Sequence, residues 1–156
     1  MKNLIIILFT SLFLISCDTY NTTDTNQQKS IEPMTYTIIA QGDLHGDGAE
    51  DISAQKTVIT DDQNWQALIT KMDAVNNESE KFSEITIDFS EYMLIAVFEE
   101  IKGNGGYSID LNITADTENI IVHSTTNAPQ GMAITVMTQP YIIVKLPKSD
   151  LPVIFE

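Results

Sequence analysis

Three aspartates lie in one glycine-rich loop at a spacing that could hold a cation. Counting Asp43 as position 1 of a calcium loop places Asp47 at position 5, Gly48 at position 6 and Asp51 at position 9. Position 12, where a calcium loop needs a bidentate glutamate, is Ala54. The pattern therefore favours a solvated glycine-rich loop, and a small calcium-binding domain stays an alternative with Asp43, Asp47 and Asp51 as its ligands.

The remaining candidate chemistry is sparse. The sequence has no hydrolase elbow, zinc-protease helix, phosphate loop or dinucleotide fingerprint. The two histidines, His45 and His123, are far apart and belong to no recognisable triad. The neighbouring carboxylates Glu99 and Glu100 would point to opposite faces of a strand and cannot form a catalytic pair. These patterns predict a protein that is not an enzyme and that needs no cofactor.

Charge narrows the possible partners. The chain has 22 acidic and 8 basic residues, for a formal net charge of −14, and all the basic residues are lysines. Nucleic-acid binding needs a basic face, and arginine is the side chain best suited to hold phosphate with two hydrogen bonds. The composition thus predicts that nucleic acid is not a partner.

The only cysteine follows a segment typical of secretion signals. Lys2 is followed by an apolar run at 4–15, and Ser16 stands directly before Cys17. The run is too short for a mature transmembrane helix. A buried first strand or an uncleaved anchor is the alternative.

Leu14-Ile15-Ser16-Cys17 resembles the bacterial lipobox. That resemblance implies a signal peptide at 1–16, a lipidated Cys17, and a polar flexible tether over 17–33. It also implies a bacterial envelope location with a lipid anchor in a membrane. The outer membrane is the expected one, and the side it faces stays open.

Residues 34–156 are expected to form a single domain of the α+β class. A helix is predicted at about 61–75, where Thr60 and Gln63 suit a capping box. Its buried face would carry apolar residues at helical spacing, namely Trp65, Leu68, Ile69, Met72 and Val75.

The sequence outside this helix favours a predominantly antiparallel sheet or sandwich with a central strand at 92–98. Strands are also predicted at 133–138 and 141–146, interrupted at Gln139-Pro140 because proline lacks a ladder donor.

The second half resembles the C-terminal domain of PrcB-type protease-complex subunits. The resemblance rests on four ordered pieces: Ile87-Asp88-Phe89-Ser90 before the apolar strand, Lys102 to Ile109 with its glycines and Tyr107, Pro129 with Gly131, and Thr138 to Pro147. It implies a non-enzymatic accessory lipoprotein that binds an envelope or secreted protein, with a protease as one candidate partner. The candidate binding loops are Gly103, Asn104, Gly105, Gly106, Tyr107, Pro129, Gln130, Gly131, Gln139, Pro140 and Tyr141. A plain hairpin turn is the alternative reading of the glycines.

A second resemblance gives a different class of function. The order of Gly106-Tyr107, Gly131 and Pro140-Tyr141 is similar to that of the three loops of chagasin-type cysteine-protease inhibitors. Gln139 stands where that family has arginine, and the stretch that precedes the first glycine in that family is absent. A chagasin-like protease inhibitor is therefore the alternative function.

Overall fold

The computed structural model describes residues 30–131 and 133–156. The predicted signal peptide, Cys17 and most of the predicted tether lie outside the described residues. Within the described ranges, no helix is long and apolar enough to cross a membrane.

The described residues form two four-stranded sheets and one α-helix. One sheet has the strand order β1-β5-β6-β8 and the other β2-β7-β4-β3, and only the β6–β8 pair is parallel. The elements are β1 (Glu32–Pro33), β2 (Thr37–Leu44), β3 (Gln55–Ile59), α1 (Asp62–Met72), a short 3-10 helix (Glu78–Lys81), β4 (Tyr92–Phe98), β5 (Ser108–Ala115), β6 (Ile120–Asn127), β7 (Gln139–Pro147) and β8 (Val153–Phe155). The predicted α+β class, with mostly antiparallel sheets and one helix, is confirmed.

Strand β4 has the position that its apolar run predicted. It pairs with β3 on one side and β7 on the other, and six of its seven residues are buried. Because successive side chains alternate between faces, β4 contributes to two cores. Met93, Ile95 and Val97 face the other sheet, whereas Leu94, Ala96 and Phe98 belong to the core that contains the helix. The molecule is therefore a sandwich with a helix on one outer face.

Helix α1 starts one residue later than the capping box predicted. The N-cap is Asp61, whose Oδ1 accepts a hydrogen bond from the Asn64 N–H at 2.8 Å. Four of the five predicted residues, Trp65, Leu68, Ile69 and Met72, are buried. Trp65 also donates from Nε1 to the Ile85 carbonyl at 2.7 Å. Val75 is 46% exposed because the helix ends at Met72, so its assignment to the buried face was wrong.

Candidate functional site

The turn before β5 and the segment after β6 lie at the same end of the molecule. Ser108 pairs with Asn127 at that end of the β5–β6 hairpin, as antiparallel strands require. Gly106 has φ +91°, and a Cβ added there would lie 3.0 Å from Pro129 Cβ. Only glycine tolerates both the positive φ and this close approach. The two segments are therefore in contact at this end of the sandwich.

A short ladder holds the turn against the segment that precedes β7. Lys102 and Thr138 exchange two backbone hydrogen bonds, of 2.7 and 3.0 Å, and Gly105 donates to the Ile134 carbonyl at 3.1 Å. The Thr138 hydroxyl also donates to the Asn104 carbonyl at 3.2 Å. A strand was predicted here, but residues 133–137 form none. They lie along the Lys102–Gly105 turn and bond to it instead of pairing with a strand.

Tyr107 is fixed from one side by a cation. Lys102 Nζ lies 5.6 Å from the centre of the Tyr107 ring, a distance typical of cation–π contacts. Tyr107, Asn104 and Pro129 are half-buried, whereas the flanking residues Gly103, Gln130 and Gly131 are exposed. This end of the sandwich thus presents a half-buried aromatic ring to solvent.

Ile134 enlarges this end, and the sequence interpretation missed it. It is 71% exposed, the highest value among the large apolar residues within 30–131 and 133–156. It lies against Gly105, where an added Cβ would be 3.4 Å from Ile134 Cγ1. Its position in a predicted strand hid it, because strand periodicity gave no sign that the segment leaves the sheet. We define the turn-end surface as Asn104, Tyr107, Pro129, Gln130 and Ile134.

The prediction that Gln139, Pro140 and Tyr141 form a binding loop is wrong. All three are buried in β7, which lies between β2 and β4. The Tyr141 ring stacks on Phe98 with 5.8 Å between the ring centres. The third loop of the chagasin-like arrangement therefore does not exist here, and a protease-inhibitor surface made of these three loops is excluded.

Gln139 explains how a proline fits inside this paired strand. The Pro140 carbonyl accepts a hydrogen bond from the Glu99 N–H at 3.0 Å, but Pro140 has no N–H to return to the Glu99 carbonyl. Gln139 Nε2 supplies that donor at 3.0 Å and also donates to the Ile52 carbonyl at 2.9 Å. The side-chain amide thus replaces the missing backbone donor, and the Gln139-Pro140 pair has a structural role.

Buried polar groups surround Tyr141. Its hydroxyl donates to Glu78 Oε2 at 3.3 Å, and Glu78 accepts from Lys81 Nζ at 2.8 and 2.9 Å. Burial, followed by the nearby Glu78 carboxylate, raises the pKa of the Tyr141 phenol. Tyr141 is therefore a hydrogen-bond donor inside the core and not a titrating surface group.

The three aspartates of the candidate calcium loop do not converge. Asp43 lies in β2, Asp47 has φ 52°, and the almost fully exposed Asp51 carboxylate pairs with Lys71 Nζ at 3.2 Å. Within the ranges 30–131 and 133–156, no three His, Cys, Asp or Glu side chains gather in a way that could hold a metal ion. The predicted ligand set is not assembled.

Glu50 is the unexpected residue of this loop. It is only 2% exposed, and neither carboxylate oxygen has a hydrogen-bond partner among the described residues. Its carboxyl group occupies the space that a Cβ at position 46 would need, so Gly46 cannot be replaced without moving it. Loop composition had suggested solvation, whereas folding buries this acid against a glycine.

Comparison with known proteins locates the family similarity on the strands and turns described above. Residues 93–147 match the family described as PrcB C-terminal. No curated protein matches the chain, and no solved structure does so either. The matched segment contains β4 through β7, and hence both the Gly103–Tyr107 turn and the Gln139-Pro140 pair. Over residues 93–147 this chain is similar to the PrcB C-terminal family, as its ordered motifs predicted.

Proposed function

We propose that this protein is an envelope lipoprotein that acts as a non-enzymatic accessory subunit and binds a partner protein, in particular a component of a protease complex. The match of residues 93–147 to the PrcB C-terminal family carries this proposal. An accessory role agrees with the sequence, in which no nucleophile, metal or cofactor pattern was found. The lipid on Cys17 would place the domain next to a membrane.

The turn-end surface is the part of the domain that we assign to the partner. It combines an aromatic ring, a proline and the 71% exposed Ile134 on one end of the sandwich. Exposed apolar groups beside polar ones are typical of protein contact sites, and aromatic residues often contribute most of the binding energy. The backbone of the turn is held by the two hydrogen bonds between Lys102 and Thr138. Binding would therefore cost little conformational entropy in this segment.

A capture experiment from solubilised envelopes tests this surface. The test variant is Asn104→Ala/Tyr107→Ala. The matched control is Asn112→Ala/His123→Ala, which removes an exposed cross-strand pair from the same hairpin. Wild type and control should recover the same partner, and the turn variant should recover at least about tenfold less, because an aromatic anchor is lost. Equal recovery by both variants, at equal thermal stability, would show that the turn-end surface is not the contact.

The anchor has its own test. Wild-type protein should incorporate a fatty-acid analogue and sediment with membranes, since two or more acyl chains anchor stably. Cys17→Ala should incorporate none, and should be released or keep its signal peptide. Wild-type protein that takes up no label would refute lipidation and leave the partner experiment unaffected.

A further inference from the structure

Strand β3 is an open edge, whereas β1 and β8 are short edges and β2 is covered in part. β1 and β8 have two and three residues. Ser83 covers the edge of β2 at Ile38 and Ile39: its N–H donates to the Ile39 carbonyl at 2.9 Å, and its hydroxyl lies 3.1 Å from both carbonyls. Folded proteins commonly protect edges in these two ways. The five residues of β3 have neither protection.

The sheet register shows which backbone groups of β3 are unused. Because Glu99 bonds to Pro140, the odd-numbered residues of β4 direct their N–H and C=O groups toward β7 and the even-numbered ones toward β3. Thr57, which is paired with Ala96, therefore bonds to β4. The N–H and C=O groups of Lys56 and Val58 point away from the sheet. Among the described residues, no turn or side chain bonds to these four groups.

A groove runs beside this edge. It has a volume of about 350 Å³ and lies between β3 and the flank of α1. Its lining is mostly uncharged, namely Gln55, Thr57, Val58, Ile59, Asn64, Ala67 and Leu68. Lys71 also lines it, but that ammonium group is paired with Asp51 at 3.2 Å. An added strand would thus place alternate side chains over the Ala67 and Leu68 side of the helix.

We propose that β3 accepts an extended segment of another polypeptide as a fifth strand of its sheet. Open backbone donors and acceptors at strand spacing are complementary to a peptide backbone, which makes an extended chain the occupant. The net charge of −14 disfavours both a second copy of this chain and an acidic segment. The occupant is therefore a neutral or basic segment with small or aliphatic side chains toward α1. This inference does not depend on the turn-end surface.

Amide hydrogen exchange with a peptide library tests the proposal. The probes are heptapeptides with a lysine at each end and five randomised positions that exclude aspartate and glutamate. In the free protein the Val58 amide should exchange rapidly and the Thr57 amide slowly. Bound peptides should slow Val58 exchange at least about tenfold, because that N–H gains a partner. The same library with glutamate ends should protect Val58 less.

Two helix variants locate the binding site. Ala67→Tyr fills the groove, whereas Gln66→Tyr places the same ring on an exposed neighbouring position outside the groove lining. Only Ala67→Tyr should abolish protection, and Asn104→Ala/Tyr107→Ala should leave it unchanged. The proposal is overturned if no library member slows Val58 exchange at millimolar concentration, or if the two tyrosine variants behave alike. Val58 protection that rises with protein concentration alone would also overturn it, by making the edge a self-association surface.

Discussion

Two segments of the family match have similar residue types and opposite positions in the fold. The Gly103–Tyr107 turn lies at the surface and is joined there by Pro129. The Gln139-Pro140-Tyr141 segment is buried in a central strand. Glycine or proline next to a tyrosine predicts a loop in both places. The same residue types therefore occur both on a candidate contact surface and in the interior of a sheet.

The pairing partner decides which role a segment has. Tyr107 follows a turn that pairs at Lys102 and Gly105 with the segment before β7, and its ring is half-exposed. Tyr141 stands opposite Phe98 and Gly42, and a Cβ added to the glycine would lie in ordinary contact with the ring, 3.8 Å from the phenol oxygen. A small residue on one strand therefore leaves space for an aromatic ring on the next.

The largest expected effect on stability comes from replacing the tyrosine of each segment with alanine. Tyr141→Ala should lower the free energy of unfolding by about 3–5 kcal/mol, because it empties an aromatic site in a packed core. Tyr107→Ala should change it by less than about 1 kcal/mol, because the ring is half-exposed and has one cation contact. Chemical denaturation of both variants measures the difference. Equal losses would mean that the turn is also a core element and that the comparison fails.

A smaller effect is expected from the two glutamines. Gln139→Leu leaves the Ile52 and Glu99 carbonyls without their donor and should cost about 1–2 kcal/mol, because it also removes the buried Gln139 Oε1, which has no partner among the described residues. Gln130→Leu changes an exposed residue and should stay within about 0.5 kcal/mol of wild type. Urea denaturation at neutral pH resolves the two values. A neutral Gln139→Leu variant would contradict the structural role of the side-chain amide.

Pro140 allows a rescue of that loss. In the Gln139→Leu background, Pro140→Ala restores a backbone N–H facing the Glu99 carbonyl and should recover about 1 kcal/mol. In the wild-type background the same change should recover nothing, since Gln139 already donates to that carbonyl. The two substitutions should therefore be non-additive. Additive effects would show that the amide does not substitute for the proline.

The elements with clear periodicity could be predicted from the sequence. The apolar run of β4 required burial on both faces, and the spacing of Trp65, Leu68, Ile69 and Met72 fixed the buried helix face. In each case the signal is local, because a side-chain period within one element determines which face is buried.

The errors of the sequence interpretation involve contacts between distant segments. Proline lacks the N–H that a central strand needs, and for that reason the sequence predicted a break at Pro140. The prediction failed because the Gln139 side-chain amide supplies the missing donor. Burial of Glu50 against Gly46 and exposure of Ile134 likewise depend on neighbours that no local pattern specifies. The turn-end surface could thus be predicted only in part. The glycines and tyrosine of the Gly103–Tyr107 turn form a recognisable motif, whereas no motif marks Ile134 as exposed.

The smallest expected effect concerns Asp43, which stands opposite Pro140 across the β2–β7 pair. Its Oδ1 is buried and has no hydrogen-bond partner among the described residues. Burial raises the pKa of the Asp43 carboxyl. Electrostatic attraction to His45 and a hydrogen bond with the Thr138 side chain lower this pKa, but by less than burial raises it. A raised pKa in the folded state means that ionisation of Asp43 favours unfolding.

Asp43→Asn should therefore stabilise the protein in a pH-dependent way. Below about pH 3.9, the ordinary value for aspartate, the carboxyl is protonated in both states and the substitution should have little effect. As the pH rises through the folded-state pKa, wild type loses this contribution to stability and the variant does not, so the gain should grow and then level off. Asp150→Asn, at an exposed position, controls for the change in net charge. Urea denaturation of all three proteins between pH 3 and 7 measures the gain. A gain that is largest at low pH, or one that is equal in the Asp150 variant, would contradict this prediction. It would show that burial beside Pro140 does not destabilise the ionised Asp43 carboxylate.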